Sequence, residues 1–403
     1  MPQPWRIFAA LAAAYVASQF FRVSNAVIAP ELMRDLAISP EAMGAITGIF
    51  FLTFAAAQLP GGVLLDRFGP RRTMAGLLLF AAAGSLVFAA AQAAAGLSAG
   101  RGLMGLGCAV GLMGAMVAIA RWFPAERFAP VTSTLYAIGG LGSVLATTPL
   151  ALAAEAFGWR GAFVAMAALT ALMALLLWLV LRDAPPGAAA EPRPESPGEI
   201  WRGLLDVARN RDLLHIAGIQ FVGYGALTSV AGLWGGPYLA ELHGLDPVAR
   251  GHVLLAMNLA VLAGSLAYGW LAPLAGSYKG PIAGGAAAAG LAYLALALLP
   301  LPPLWLVALL FVLLGLTAGY FNLLHAHARA VLPDHLVGRG LTLENMAAIG
   351  GVFLWQAVTG LLIGDLAARG VPAETAYRAM FGLLAAITAA GLAAYLPCRD
   401  VKL

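Results

Sequence analysis

Charge is scarce in this chain. Of its 403 residues only 10% are Asp, Glu, Lys or Arg, while 61% are hydrophobic. A soluble domain has about 25% charged and about 45–50% apolar residues, so water cannot be the solvent for most of this surface. Cysteine is nearly absent: Cys108 lies in an apolar run and Cys398 near the C-terminus. Two such distant thiols make neither a disulfide framework nor a metal-type spacing. No nucleophile–base set is present, and no Met-x-x-x-Met pair accompanies the histidines, so no enzyme chemistry, metal or cofactor is expected. The net charge of +4 comes from basic residues spread over short loops, which argues against a nucleic-acid partner. A cleavable leader is not expected. The first apolar segment is too long for a signal-peptide core and carries Arg22, so it reads as an uncleaved span.

What is present is a series of apolar runs. A helix needs about 20 apolar residues to cross a bilayer, and in lipid its backbone groups must bond to one another. Twelve runs meet this length, at about 7–30, 42–65, 73–92, 96–120, 130–154, 160–181, 213–240, 251–273, 281–299, 303–327, 340–364 and 375–396. The expected fold is therefore an all-α membrane protein of twelve transmembrane helices. Residues 183–212 form the one long polar connection. Pro185, Pro186, Pro192, Pro194 and Pro197 mark it as a linker, with a short amphipathic helix expected around Ile200–Val207. The domains expected are an N-terminal half over 1–182 and a C-terminal half over 213–403.

Lys and Arg set the orientation. With both termini cytoplasmic, 16 of the 23 basic residues fall on the inner side and 5 on the outer side, leaving Arg22 and Arg101 inside spans. That bias follows the positive-inside rule. A bacterial-type inner membrane is the expected location.

The halves read as a duplication. Gly62-x-Leu64 after the second run has a counterpart in Gly269-x-Leu271 after the eighth, and Gly69 has one in Gly276. Ala120-Arg121 with Pro124 corresponds to Ala328-Arg329 with Pro333. In the second copy Pro273 stands where Asp66 stands in the first.

The segment Gly62-Val63-Leu64-Leu65-Asp66-Arg67-Phe68-Gly69-Pro70-Arg71-Arg72 is the densest group of charges between spans. It resembles the loop of the major facilitator superfamily, Gly-x-Leu-x-Asp-Arg-x-Gly-Arg-Arg, with Pro70 in place of a basic residue. Arg101-x-x-x-Gly105-x-Gly107 is similar to that family's second motif, and Phe157-Gly158-Trp159-Arg160 to its common entry to span six. The antiporter signature of span five is absent; Gly139-Gly140-Leu141-Gly142 stands there. The resemblance implies two parallel six-helix halves around a central cavity and transport by alternating access. It implies gating roles for Gly62, Asp66, Arg67, Gly69, Arg71, Arg101 and Glu344, with Asp66 facing the N-terminus of the eleventh helix and Glu344 pairing with Arg67 or Arg71. A monomer in the lipid bilayer is expected.

Arg22 is the sharpest candidate for substrate contact. A central arginine costs about 2.5–3.5 kcal/mol even on an insertion scale, so it must meet a cavity or a partner. Tyr15, Ser18, Arg22 and Asn25 share one helical face. Phe20-Phe21-Arg22 followed by Pro30 is similar to span one of organic phosphate and organic anion transporters, where an arginine holds the substrate. A guanidinium offers two parallel hydrogen bonds to a carboxylate or phosphate. The expected substrate is a small organic anion. An arginine that braces helices through backbone carbonyls is the alternative, and an exporter of lipophilic compounds or an importer of a metal or its chelate are the rival functions.

Further polar groups inside spans are Tyr136, Gln220, Tyr224, Asn258, Asn322 and Gln356. Each needs a partner in lipid, either the substrate or a neighbouring helix. Arg101 either snorkels to the outer interface or faces a cavity. Glycines and Pro237 break span seven beside Trp234 and Tyr238, so that its outer end bends as a gate or the two aromatics serve as interfacial anchors; the anchors are the expected reading. His325, His327 and His335 cluster near the inner end of span ten, where histidines can bind a transition metal or take a proton, but His325 and His327, two apart, point in different directions, and a wet cytoplasmic cap is the expected reading. No Asp or Glu lies in the middle of a span, so the coupling ion is left open.

Overall fold

The structure is a computed structural model that describes residues 3–183, 198, 207, 209–333 and 337–401. The expected amphipathic helix around 200–207, apart from Val207, and His335 fall outside the described residues, and so does the side chain of Asp66.

Every regular element among the described residues is helical. The order is α1 Gln3–Val23, α2 Asn25–Asp35, α3 Pro40–Ala90, α4 Ala94–Cys108, α5 Gly111–Trp122, α6 Ala125–Leu145 and α7 Thr148–Val180. Then come α8 Arg211–Ser229, a π-helical turn Val230–Trp234, α9 Gly235–His243, α10 Pro247–Ala275 and α11 Lys279–Leu298. The chain closes with α12 Leu304–Thr317, α13 Tyr320–Val331, α14 Val337–Ala368 and α15 Ala373–Tyr395.

Among the described residues, ten stretches are long and apolar enough to cross a membrane, and α1 with α2, bent by 48°, makes an eleventh. One stretch, Pro130–Val180, has 51 residues, about 76 Å if straight. That is more than twice the hydrocarbon thickness of about 30 Å. Gly158 breaks it with φ 70° and ψ 161°, so it makes two passes and the total is twelve. Gly69 breaks α3 in the same way, with φ 76° and ψ 164°. This backbone region is essentially open to glycine alone, and both glycines sit at the turns the sequence motifs mark.

The outward surface confirms the solvent. Trp270, Leu274 and Trp305 are 77%, 84% and 67% exposed, an arrangement that lipid favours and water penalises.

The chain divides into two compact units. One comprises Met1–Ile38 and Ala45–Pro194, the other Ser39–Gly44 and Glu195–Leu403. The duplication extends to the breaks in their helices. Span four pauses between Cys108 and Gly111, and span ten pauses between Thr317 and Tyr320. The first span of each unit is interrupted too, at Ser24 in one and by the π turn Val230–Trp234 in the other. Glycines carry the tight helix packing: a side chain at Gly142 of α6 would strike the Val16 carbonyl of α1, and one at Gly264 of α10 would strike that of Leu316.

Candidate functional site

In the first unit the polar groups gather where α1 ends. Arg22 occupies its last turn, half-buried, with its guanidinium carbon 4.6 Å above the centre of the Phe54 ring. Its Nε is buried and has no hydrogen-bond partner, and no ion pair among the described residues involves it. The cation is thus held by an aromatic face, with donor capacity left over. The expected common face of Tyr15, Ser18, Arg22 and Asn25 is cut by the bend at Ser24, which puts Asn25 at the head of α2. There its Nδ2 donates to Thr47 Oγ1 at 2.9 Å, while its Oδ1 is buried without a donor. Tyr15 stacks edge-on with Tyr136 of α6, ring centres 6.1 Å apart, and Gly139 makes room for the Tyr15 ring. Ser18 is buried beside Cys108, at the pause between α4 and α5.

Arg101 does not snorkel. It is fully buried, its Nη1 donates to the Phe21 carbonyl at 2.6 Å, and its guanidinium lies 4.7 Å over the Phe50 ring. A guanidinium in the interior persists only when paired or bonded; here one carbonyl of α1 and one aromatic face hold it. It therefore ties span four to the turn of span one that carries Arg22.

In the second unit Gln220 is buried on α8 with an unpartnered Oε1. Tyr224, one turn on, meets Phe321 of α13 edge-on at 5.5 Å. Gln356 of α14 is fully buried; its Nε2 donates to the Thr228 carbonyl at 3.3 Å and its Oε1 has no donor. Asn258 bonds the Leu254 carbonyl of its own helix at 2.9 Å, and Asn322 is exposed on α13. Buried amide oxygens without donors cost free energy, so Gln220 and Gln356 retain acceptor capacity.

Trp234 and Tyr238 are not interfacial anchors. Trp234 is fully buried and its Nε1 donates to Thr359 Oγ1 at 2.9 Å; Tyr238 is packed among Phe311, Tyr377 and Phe381. The π turn directs the indole inward. Sequence reading took aromatics at a span end for interface residues. The glycine-rich run around them, which marks a broken helix, was the signal that they turn inside.

The histidines separate as their spacing requires. His325 Nδ1 lies 2.9 Å from the Phe321 carbonyl and its Nε2 lies 3.1 Å from Glu344 Oε2. His327 bridges Tyr395 Oη at 2.8 Å and the Arg399 carbonyl at 2.9 Å. No group of three metal-ligating side chains forms among the described residues.

The loop that holds Asp66 is organised by a residue outside the sequence motif. Asp183, just after span six, accepts the Arg71 backbone N–H at 2.8 Å, and its carboxyl group fills the space a side chain at Gly69 would need. Arg71 donates Nε to the Trp178 carbonyl at 2.7 Å and lies 4.6 Å over that indole. Arg121 and Trp122, at the end of span four, donate to the carbonyls of Asp183 and Arg182. Arg67 is exposed against Phe68. Gly62 is in ordinary contact with Met113; the close helix approach is at its neighbour Gly61, against Val110.

The second unit repeats this clasp after span twelve. Asp400 accepts the Ser277 hydroxyl at 2.8 and 2.9 Å, Lys279 donates to the Cys398 carbonyl, and Asp212 accepts the Arg399 N–H at 2.8 Å. Burial and the Asp212 carboxylate push the Cys398 thiol up to about 12.

Among curated proteins, the chain is 23% identical over 285 residues to the uncharacterized transporter YybO of Bacillus subtilis, covering 66% of this chain and 64% of YybO. It is 24% identical over 171 residues to a protein of Cupriavidus necator described as a "Probable sulfoacetate transporter SauU", covering 42% and 40%. The matched stretches thus span less than two thirds of either relative. Among solved structures, a bacterial homologue of the human lysosomal transporter Spinster, inward-facing and unoccupied, superposes with a TM-score of 0.76 at 19% identity, covering 99% of this chain and 96% of that one. A family model described as Major Facilitator Superfamily matches residues 11–302. Twelve passes, a duplicated helix order with matching breaks and the glycine turn at the charged loop agree with that match: this multi-pass membrane protein belongs to the major facilitator superfamily of transporters.

Proposed function

We propose that this transporter carries a small organic anion by alternating access, and that Arg22 binds the anionic group. The observation that carries the reading is the state of Arg22: a half-buried guanidinium with a desolvated, unbonded Nε and an aromatic ring as its neighbour. Its location in an apolar span makes an unneutralised cation costly, and a carboxylate, sulfonate or phosphate supplies both charge and acceptors. The sulfoacetate transporter among the relatives supports an anion as the substrate class. Tyr15, Ser18, Asn25 and Tyr136 in the first half, and Gln220, Tyr224, Asn258, Asn322 and Gln356 in the second, supply the polar contacts. The charged loop with Asp66, Arg67, Gly69 and Arg71, together with Arg101 and Glu344, gates the cycle. The halves are 1–182 and 213–403, joined by 183–212. The protein acts as a monomer in an inner membrane with both termini cytoplasmic.

The test is thermal unfolding of the purified protein in detergent against carboxylates, sulfonates, phosphates, cationic dyes and divalent metals. A ligand that binds only the folded state raises the midpoint. Stabilisation by an anion that disappears in Arg22→Ala supports the reading. Stabilisation only by cationic dyes or metals overturns it.

A further inference from the structure

We propose that His325 and Glu344 form a proton-binding site, the pair holding one proton taken from the aqueous phase. The argument is a count of protons along a row of atoms. The Phe321 carbonyl, which accepts only, lies 2.9 Å from His325 Nδ1, and His325 Nε2 lies 3.1 Å from Glu344 Oε2. Each contact is unfavourable unless one of its two atoms carries a proton. A neutral imidazole facing an ionised carboxylate supplies one for the two contacts. If that proton sits on Nδ1, the lone pair of Nε2 faces a carboxylate; if on Nε2, the lone pair of Nδ1 faces a carbonyl. Either tautomer leaves two acceptors in contact at about 3 Å. One additional proton removes the conflict, whether it rests on Nε2 as imidazolium or on Oε2 as carboxylic acid.

Burial sharpens the demand. Glu344 is fully buried, and neither of its oxygens has an aligned hydrogen-bond donor. An ionised carboxylate without donors is costly in such surroundings. His325 is half-exposed, with 42% of its side chain accessible, so it is the member through which a proton enters. The entering proton leaves water, rests on Nε2 or Oε2 and changes the pair from a net charge of −1 to zero.

The neighbours do not supply this proton. Among the described residues, the one ion-pair contact of Glu344 is with His325. Helix α8 packs against both α13 and α14; its Tyr224 faces Phe321, and its Asp212 is engaged by the Arg399 N–H. On α13, His327 is committed to Tyr395 and the Arg399 carbonyl, and Arg329 is exposed one turn beyond His325. Tyr268 of α10 and Tyr293 of α11 act on Tyr320. His215 of α8 and His252 of α10 are the other histidines on the packed helices, and the side chains of Asp334, His335 and Arg339 lie outside the described residues.

Nothing in this site depends on Arg22 or on the nature of the substrate, so it stands or falls apart from the anion reading. The test is a titration of the full-length protein in nanodiscs, read by the 15N shifts of His325 and the carboxyl 13C shift of Glu344, with His325→Gln used for assignment. The expected result is one coupled step: both nuclei report the same midpoint, as interacting sites do. In Glu344→Gln the shared step is lost, and the His325 15N signals no longer follow the wild-type curve. If Glu344→Gln fails to fold, His325→Gln serves in its place, and the Glu344 midpoint must then move. Independent midpoints in the wild type, or a midpoint in either variant that stays where it was, overturn the shared site.

Discussion

Asp183 reaches back 112 residues to accept the backbone N–H of Arg71 at 2.8 Å, in the turn that Gly69 opens with φ 76°. The link joins the end of span six to the charged loop between spans two and three. Asp400 does the same for the turn that follows Gly276, through the Ser277 hydroxyl. Each unit thus closes its last span onto its second connection with a carboxylate. This clasp fixes the loop's backbone.

Two glycines separate strain from crowding. Gly158→Ala meets open space and pays only for its backbone conformation, about 1–3 kcal/mol. Gly69→Ala carries a similar backbone cost and in addition collides with the Asp183 carboxyl. Gly69→Ala is therefore expected to lower the unfolding midpoint in detergent more than Gly158→Ala, and adding Asp183→Ala to Gly69→Ala to restore part of the difference. Equal losses in the two single variants would mean that Asp183 does not press on that turn.

The Trp234–Thr359 hydrogen bond holds the π turn of span seven against span eleven. A buried neutral hydrogen bond contributes about 0.5–1.5 kcal/mol. Trp234→Phe and Thr359→Val are each expected to destabilise, and the double variant to lose less than the sum, because both remove the same bond. Strict additivity in chemical unfolding would show that the bond contributes nothing.

The number of spans, the duplication and the glycine turns were legible because each rests on local chemistry. Run length decides whether a helix crosses the bilayer, and the Gly69 and Gly158 conformations exclude other residues. The fates of Trp234 and Arg101 were not legible, since whether a side chain at a span end turns inward depends on which helix lies beside it. Thr359 and the Phe21 carbonyl stand 125 and 80 residues away. The Asp183 clasp escaped for the same reason, as did the pairing of His325 with Glu344. Arg22 was legible as an anomaly, a charge where lipid forbids one, but its Phe54 neighbour was not.

The C-terminal clasp makes a prediction about pH and reactivity. The Cys398 thiol is raised to about 12 by burial first and by the Asp212 carboxylate next. A thiol raised on folding contributes stability that is fully present below its ordinary value near 9 and is lost as pH climbs toward 12. In a Cys108→Ala background, maleimide labelling of Cys398 at pH 8 is expected to be slow, since thiolate is the reactive form. Asp212→Ala removes both a raising charge and the bond to the Arg399 N–H, so labelling should accelerate severalfold. Fast labelling of the parent protein would show that the tail is not held as described.

Arg22 gives the most consequential prediction, because substitution there separates binding from bracing. Its guanidinium rests on Phe54, and its Nε lacks a partner. A brace would spend its donors on backbone carbonyls, as Arg101 does on Phe21; Arg22 forms no such bond among the described residues. Arg22→Lys keeps the charge but loses the two-pronged geometry, so affinity for the stabilising anion should fall, and Arg22→Ala should lower it further. Loss of a charge-assisted pair costs about 1.5–3 kcal/mol, which is one to two decades in Kd. Phe54→Leu, which removes the ring but no donor, is expected to weaken binding less than Arg22→Lys. Calorimetric titration of purified, monodisperse variants measures each step. Wild-type affinity in Arg22→Lys would assign the anion to another residue and leave Arg22 a structural cation.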